Sequence, residues 1–377
     1  MPKPEGKAPA APTPDAERIA AIRLIRSENV GPVTFRDLLK HYGSAERAIA
    51  ALPELARRGG RRQAIRICPA ADAERELERA RDFGAVPLIV GETGYPLPLA
   101  ALDAPPPLIY AKGDSRLLQR PTVAVVGARM CSAAGSKLAR QLAGEIGRAG
   151  FVIASGLARG IDAAAHQAAF DTGTVAVLAG GLDTIYPPEH AALQQTIGER
   201  GCLVSEMPFG FVARSQDFPR RNRIVSGLSL GVLIVEAARR SGSLVTARLA
   251  AEQGREVFAV PGHPLDPRAE GTNKLLKSGA TMVTEAADLL SALTPLVRAP
   301  LPHLREDAPP PPEPPSQLSD DDRQRVLTAL GPAPVDIDSL VRGTGLTTRG
   351  VRVALMELDL AGRIERHGSG LVSLALG

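Results

Sequence analysis

The chain of 377 residues is long enough for two or three domains, because domains usually comprise about 100–200 residues. Hydrophobic residues make up 44% and charged residues 23% of it, which excludes wholesale disorder and a coiled-coil rod. The formal net charge of +4 is a mild basic excess that permits an anionic partner without requiring one. The three cysteines (Cys68, Cys131 and Cys202) follow neither a disulfide-framework nor a zinc-site pattern. We expect a soluble cytoplasmic protein with no metal and no membrane contact.

The N-terminal part of the chain predicts a short lead followed by a small helical domain. Residues 1–16 contain five prolines and predict a disordered lead. Apolar residues then recur at helical spacing over residues 17–67. Asn29-Val30-Gly31-Pro32 resembles the hairpin of a helix-hairpin-helix module, whose glycine lets main-chain amides approach a DNA phosphate. The alternative is a Gly-Pro helix stop between two core helices. We expect an accessory domain of the SAM or helix-hairpin-helix type.

Residues 68–298 predict an α/β domain. Two short apolar runs, 86–90 and 107–110, are interpreted as strands that extend a larger sheet. From Thr122 onward, strands alternate with helices, which is typical of a doubly wound, mostly parallel sheet. The predicted strands are 122–127, 151–154, 174–179, 202–205, 231–235, 256–260 and a last one at 281–283.

The C-terminal part predicts a linker and a winged helix. Residues 299–316 form the predicted linker, with eight prolines among residues 299–315. Residues 317–377 predict three helices and a hairpin through 363–374 that turns at 368–370. This segment carries seven Arg against eight Asp and Glu, and a groove-reading domain is expected to be basic. Arg349 and Arg352 on the third helix are candidates for DNA contact, but we favour a protein-contact or vestigial role.

Small residues dominate the loops that follow the predicted strands, where ligands of parallel sheets bind. Gly and Ser bring main-chain N–H groups close to a ligand, and a helix N-terminus favours an anion. An arginine in such a loop can hold a phosphate with two hydrogen bonds. The alternative is that the glycines only make tight turns. We predict a phosphate pocket built from Gly127, Arg129, Ser132, Ser155, Gly156, Arg159, Ser241, Gly242 and Ser243.

The motifs for common phosphate cofactors are absent, so we predict no cofactor. Gly127 is followed two residues later by Arg129, which breaks the G-x-G-x-x-G fingerprint. Gly135-Ser136-Lys137 does not have the order of a Walker A loop. Asp162 and His166 lie four residues apart on one predicted helix, but no nucleophile or metal-spaced cluster accompanies them. Glu206 and Glu236 end strands and can act as bases or orient arginines. No catalytic set emerges.

Residues 209–224 carry the strongest local signal, because four arginines and an asparagine interleave with three phenylalanines. Arginines can follow phosphates while aromatic faces stack on bases, which suits single-stranded nucleic acid. The alternative is a structural loop whose phenylalanines are buried and whose arginines pair with Glu206 or Asp217. The predicted contacts in this segment are Phe218, Arg221, Asn222 and Arg223.

At these residues the chain resembles the DNA-processing protein A (DprA, Smf) family. Seven motifs in order carry the resemblance, from about Tyr95 to Val283: VVGAR (125–129), SGLARGID (155–162) with AAAH, GGLDTIYPPEH (180–190), SEMPFG (205–210), FPRRNRIVSGLS (218–229), SGSLVTA (241–247) and FAVPG (258–262).

The resemblance implies an extended Rossmann-like domain that binds single-stranded DNA in a basic pocket, forms a homodimer and helps to load the RecA recombinase during natural transformation. The family's phosphate-contacting arginine falls on Arg129 and the basic residue of SGLARGID on Arg159. Its Arg-Asn-Arg motif falls on residues 221–223. We expect a non-enzymatic recombination mediator. The alternatives are a nucleotide phosphoribohydrolase of the lysine-decarboxylase-like group, whose PGGxGTxxE segment is missing here, and a nucleotide-sensing interaction protein.

Overall fold

The computed structural model of the chain describes residues 15–298, 318–367 and 370–375. The contacts among them divide into two compact units. The sheet unit comprises residues 78–102 and 108–298, and the terminal unit comprises residues 15–77, 103–107 and those from 318 onward. The predicted linker, 299–316, and residues 1–14 of the predicted lead lie outside the described ranges, whereas Asp15 and Ala16, the last two residues of that lead, begin the first helix. The predicted domain boundaries therefore stay predictions.

The described part of the sheet unit contains one mixed sheet of nine strands. Its strands are β1 (Ala85–Ile89), β2 (Leu108–Gly113), β3 (Thr122–Val126), β4 (Val152–Ser155), β5 (Thr174–Val177), β6 (Cys202–Ser205), β7 (Gly231–Ile234), β8 (Glu256–Ala259) and β9 (Thr281–Met282). Their order across the sheet is β1-β2-β6-β5-β4-β3-β7-β8-β9. All pairings from β6 to β9 are parallel, whereas β1 pairs antiparallel with β2 and β2 antiparallel with β6.

Helices precede, flank and follow the sheet. In chain order they are α1 (Asp15–Arg26), α2 (Pro32–Tyr42), α3 (Ala45–Arg58), α4 (Ala70–Asp82), α5 (Leu97–Ala100), α6 (Ala133–Arg148), α7 (Ile161–Ala168), α8 (Ala191–Arg200), α9 (Asp217–Gly227), α10 (Gly242–Glu252), α11 (Glu270–Lys277), α12 (Ala286–Arg298), α13 (Asp320–Ala329), α14 (Ile337–Thr344) and α15 (Thr348–Leu360). Short 3₁₀ helices span Ser115–Gln119 and Pro188–His190.

Two apolar layers enclose the central strands. One face packs against α9 and α10 through residues such as Ile224 and Ala247, and the other packs against α6, α7 and α12 through residues such as Leu142 and Leu289. The sequence TVAVV of β3 is buried along its whole length, as expected for a strand covered on both faces. This packing leaves the ends of the strands, and not their faces, available for a ligand.

The terminal unit contains α1–α3 and a winged helix. The winged helix consists of α13, α14, α15 and an antiparallel hairpin of β10 (Ile364–Arg366) and β11 (Val372–Leu374). Ser319, Asp336 and Thr347 cap the N-termini of its three helices by accepting main-chain N–H groups. These caps fix the first residues of the three helices at Asp320, Ile337 and Thr348. Residues 368 and 369 of the predicted turn lie outside the described ranges.

The predicted fold class is confirmed: a mostly parallel doubly wound sheet, an N-terminal helical domain and a C-terminal winged helix. Across the described ranges, no helix is long and apolar enough to cross a bilayer. The same ranges contain no group of His, Cys, Asp and Glu side chains arranged to hold a metal ion. The three cysteines are unpaired in the structure.

Candidate nucleic-acid interface

The loops that follow β3, β4 and β5 meet at the carboxyl edge of the parallel strands. The chain runs from β3 out to β6 and returns to β7 on the other side of β3, so the strand order reverses there. Open parallel sheets bind ligands beside such a reversal. A pocket lies between these loops and the start of α9. Five of the predicted site residues line it: Arg129, Gly156, Arg159, Phe218 and Arg221.

Arg221 places a buried positive charge at this pocket. The residue is only 6% exposed, and its Nη1 donates to the carbonyl O of Gly156 at 2.6 Å and also to that of Val177. One guanidinium therefore connects the ends of the neighbouring strands β4 and β5. A Cβ at position 156 would lie 2.5 Å from Nη2 of Arg221, so this approach requires glycine. Burial lowers the pKa of Arg221 to about 10, which leaves it charged at neutral pH.

Asp162 is the acidic residue that faces Arg221. Its Oδ2 accepts the N–H of Gly156 at 3.1 Å and that of Ala158 at 3.2 Å. Burial raises the pKa of the Asp162 carboxyl, and the charge of Arg221 and these N–H groups oppose the rise. The guanidinium and the carboxylate thus hold the same loop from two sides.

Leu157 shows how firmly this loop is held. It is fully buried with φ of 56°, a left-handed conformation that is unfavourable for a large side chain. Its carbonyl O lies 3.0 Å from Nδ1 of His190. Strained conformations of this kind persist only where the surroundings determine them, and they concentrate at functional sites.

Three side chains lining the pocket form what we call the aromatic–arginine platform: Arg129, Tyr186 and Phe218. The ring centroids of Tyr186 and Phe218 lie 5.0 Å apart, and Cζ of Arg129 lies 5.4 Å from the Phe218 centroid. Arg129 is exposed and has no ion-pair partner within the described part of the chain. An exposed cation therefore lies beside the partly exposed ring of Phe218, which in turn contacts Tyr186, and a cation next to aromatic rings is the combination that binds single-stranded nucleic acids.

Arg159 also lines the pocket but already has a partner. It forms an ion pair with Glu189, and the two side chains are 58% and 47% exposed. Exposed pairs are weak because solvent and salt screen them. A phosphate group can therefore compete with Glu189 for this guanidinium.

The N-terminus of α6 is occupied by a carboxylate of the chain itself. Glu236 accepts the N–H of Ser132 at 2.9 Å and its Oγ–H at 2.5 Å, while Ser132 Oγ accepts the N–H of Gly135 at 2.8 Å. A Cβ on Gly127 would lie 2.6 Å from Cγ1 of Ile161, so this glycine serves close packing between β3 and α7. The helix end that binds the pyrophosphate in dinucleotide-binding folds thus already has an anion.

The remaining predicted residues lie outside the pocket. Ser155 is buried and donates from Oγ to the carbonyl O of Val125 at 2.6 Å. Arg223 forms an ion pair with Glu206, which also pairs with Arg220 at 3.2 Å. Asn222 Nδ2 lies 3.5 Å from the carbonyl O of Gly242, the first residue of α10, where Ser241 and Ser243 form a capping pair with their hydroxyl oxygens 2.7 Å apart.

The acidic and histidine candidates for catalysis all have structural contacts. Glu206 is buried against Arg220 and Arg223, and Glu236 caps α6. His166 is fully buried, with Nδ1 lying 2.7 Å from Oγ1 of Thr174. Burial lowers the pKa of His166 to about 3, so the imidazole is neutral at physiological pH.

Sequence reasoning did not select Tyr186 or His190, and the structure places both at the pocket. The available signal was the motif GGLDTIYPPEH, which follows β5 and ends in these residues. Phe209, by contrast, packs edge-on against Tyr110, with ring centroids 5.2 Å apart. Of the phenylalanines in the arginine-rich segment, Phe218 therefore belongs to the platform and Phe209 to the core.

The fold and this site define a Rossmann-type protein with an arginine-lined pocket at the carboxyl edge of its sheet. Residues 87–294 match the family described as DNA recombination-mediator protein A. Residues 15–79 match a DprA-like N-terminal HHH domain, and residues 308–370 match a DprA winged helix domain. The chain belongs to the DprA/Smf family of recombination mediators.

Individual relatives agree with this assignment. Protein Smf of Escherichia coli K12 is 41% identical over 290 residues, covering 74% of this chain and 75% of that protein. The X-ray structure of DprA from Streptococcus pneumoniae superposes with a TM-score of 0.61 at 35% identity, over 72% of this chain and 96% of that one. A structure of DprA from Helicobacter pylori, reported for its single-stranded DNA binding mode, gives a TM-score of 0.51 at 32% identity, over 56% and 96%.

The structure predicts different consequences for two of the three arginines that line the pocket, Arg221 and Arg129. Replacing Arg221 with Ala leaves the carbonyl groups of Gly156 and Val177 without their donor and Asp162 without its opposing charge. We expect a loss of about 3 kcal/mol, the upper end of the scale for leaving a buried polar group without its hydrogen-bond partner. Arg129→Ala, at an exposed position, should change stability by no more than about 0.5 kcal/mol. Urea unfolding followed by circular dichroism measures both. Equal stabilities of the two variants would contradict the structural role of Arg221.

Proposed function

We propose that this protein binds single-stranded DNA at the carboxyl edge of its sheet, protects incoming strands and helps to load the RecA recombinase during natural transformation. The DprA relative from Helicobacter pylori, with its reported single-stranded DNA binding mode, supports the choice of ligand. We place this activity in the cytoplasm and assign it to a homodimer formed through the sheet unit. The assignments of RecA and of the homodimer rest on the family resemblance.

The aromatic–arginine platform is the observation that carries the proposal. A phosphate of the strand binds Arg129, and adjacent bases stack on Phe218 and Tyr186. Stacking of one base on an aromatic side chain contributes about 1–3 kcal/mol and does not depend on its sequence. In a duplex the bases are paired and stacked on each other, so these rings have nothing to bind. The platform therefore favours a single strand over a duplex.

The predicted contact residues divide into two roles within this proposal. Arg129, Arg159 and Phe218 are exposed or partly exposed and touch the strand. Gly156 and Arg221 hold the loop that presents them. The others are further predicted contacts along the same edge of the sheet, each now with a protein partner or a packing role: Gly127, Ser132, Ser155, Asn222, Arg223, Ser241, Gly242 and Ser243.

We further propose that the protein acts without catalysis. A hydrolase needs an acid or base at the bound sugar, and Glu206 and Glu236, the carboxylates considered from the sequence, are engaged with Arg223 and Ser132. Hydrolysis of a nucleoside monophosphate is nevertheless the second candidate, because the pocket combines glycine-rich loops with Arg129 and Arg159.

The strand-binding proposal predicts a specific dependence of affinity on salt. Oligothymidylate should bind much more tightly than a duplex of equal length, and each phosphate neutralised should contribute about −0.7 to the slope of log K against log salt. Arg129→Ala should reduce the size of that slope by about 0.7 and weaken binding, because it removes one phosphate contact. Fluorescence anisotropy titrations between about 50 and 200 mM salt measure both quantities.

Arg116→Ala is the matched control for this experiment. Arg116 follows β2, which ends opposite Cys202 at the start of β6, so it lies at the edge of the sheet away from the pocket. Its side chain is 89% exposed, and its replacement by Ala removes the same positive charge as Arg129→Ala. We expect it to retain the wild-type slope. If Arg129→Ala and Arg116→Ala behave alike, the strand does not bind at the proposed edge.

The hydrolase alternative predicts release of free base from nucleoside monophosphates. We expect none when the wild-type protein is incubated with them and the products are separated by chromatography. Turnover that disappears in Glu206→Gln or Glu236→Gln would contradict the proposal of a non-catalytic mediator.

A further inference from the structure

The third helix of the winged helix, α15, is buried on nearly all sides. In a winged helix that binds DNA, the third helix presents an exposed polar face to the major groove. Here only Thr348 and Arg352 are exposed along α15, and nine of its residues are buried. A single small domain cannot cover a helix in this way, so a second surface is required.

The two sides of α15 contact different parts of the terminal unit. The inner side, which includes Val351 and Leu355, belongs to the core of the winged helix itself. The outer side presents Val353, Met356 and Leu360, which are buried although they lie outside that core. The elements that contact α15 from elsewhere in the chain are α2 and α3 of the N-terminal helical domain.

Polar contacts fix the two domains at this surface. Asn29 donates from Nδ2 to the carbonyl O of Leu360 at 3.1 Å, and Thr34 donates from Oγ1 to the carboxylate of Asp359. Nη1 of Arg363 donates to the carbonyl O of Gly59 at 3.3 Å. The three contacts join residues that lie 331, 325 and 304 positions apart in the chain.

Gly59 marks the closest approach of the two domains. It ends α3 in a right-handed conformation with φ of −67°, so the turn itself does not require glycine. A Cβ at this position would overlap the carbonyl O of Glu357 and lie 2.9 Å from Cβ of Ala361. Glycine is therefore needed here for the contact with α15 and not for the backbone of α3.

The chemistry of the covered surface suits a protein and not DNA. Its side chains are mainly apolar, and the one buried charge, Glu357, is bound by Arg323 of the winged helix at 2.7 and 3.1 Å. Base edges in the major groove offer hydrogen-bond donors and acceptors that such a face cannot satisfy. DNA-binding modules turn the third helix of a winged helix, or the hairpin of a helix-hairpin-helix module, toward DNA. Here these two elements, α15 and the hairpin residue Asn29, contact each other.

We propose that α15 is a protein-docking helix whose partner is the surface of α2 and α3 in the same chain, so that the winged helix joins the two ends of the chain and does not enter a DNA groove. The contact is intramolecular and independent of the proposed strand-binding edge. Its failure would leave the platform of Arg129 and Phe218 unaffected, and the reverse is also true.

Cleavage of the linker tests this docking directly. A site-specific protease sequence is placed within residues 305–311 of the full-length protein, which lie outside the described ranges, and the cleaved protein is analysed by size-exclusion chromatography. The fragment that contains the winged helix should co-elute with the rest of the wild-type chain. In Gly59→Leu it should elute separately, because the new side chain overlaps the backbone of α15.

Gly343→Leu is the matched control. Gly343 lies on α14, is exposed, and a Cβ there meets no atom within 4 Å. This variant should co-elute like the wild type, and circular dichroism should show that both variants keep their helices. Separation of the wild-type fragments, or co-elution in Gly59→Leu, would overturn the proposal.

Two further measurements test whether this surface instead binds DNA or a second copy of the chain. In the uncleaved protein, duplex affinity should be the same in the wild type and in Arg349→Ala/Arg352→Ala, and a tenfold loss would show that α15 reads DNA. Light scattering should give the same mass for the uncleaved wild type and Gly59→Leu. A mass halved by Gly59→Leu would show that the docking joins two copies of the chain, which contradicts an intramolecular contact.

Discussion

The candidate interface depends on the buried guanidinium of Arg221, which binds the carbonyl groups that end β4 and β5. Without it, two neighbouring strands would present unpaired carbonyl oxygens at the edge of the sheet, and Asp162 would lack its opposing charge. With it, the loop 156–160 is held by hydrogen bonds with both Arg221 and Asp162, including at the strained backbone around Leu157. A rigid loop reduces the entropy that must be lost when a flexible strand binds. The buried Arg221 therefore contributes to the proposed strand binding indirectly, because it holds the loop that presents the exposed side chains.

One short segment divides its side chains between structural contacts and the proposed interface. Phe218 and Arg221 lie one helical turn apart at the start of α9, yet Phe218 contributes to the platform and Arg221 is buried. Arg223 is only 18% exposed and binds Glu206. The number of arginines in the segment therefore does not indicate how many phosphate groups the segment can bind. The exposed charge of the site comes from Arg129 and Arg159, which follow other strands.

Most of the fold could be predicted because the central strands are apolar on both faces and glycine-rich loops separate them from the helices. The antiparallel direction of β1 and β2 could not, since an apolar run does not encode the direction of its neighbour. A pocket does lie at the predicted edge of the sheet, because loops after adjacent parallel strands must meet, but only five of the thirteen predicted residues line it. The contact of Glu236 with Ser132 was not predicted, because it joins residues 104 positions apart. For the same reason, the sequence favoured a protein-contact or vestigial role for the winged helix without identifying α2 and α3.

The most direct test of the account asks where on the protein a bound strand lies. Oligothymidylate that carries photoreactive 5-iodouracil is cross-linked to the full-length protein, and the modified peptides are identified by mass spectrometry. The account predicts cross-links to Tyr186 or Phe218, because the bases stack on these rings. Cross-links that fall instead on the opposite edge near Arg116, or on the terminal unit, would contradict it.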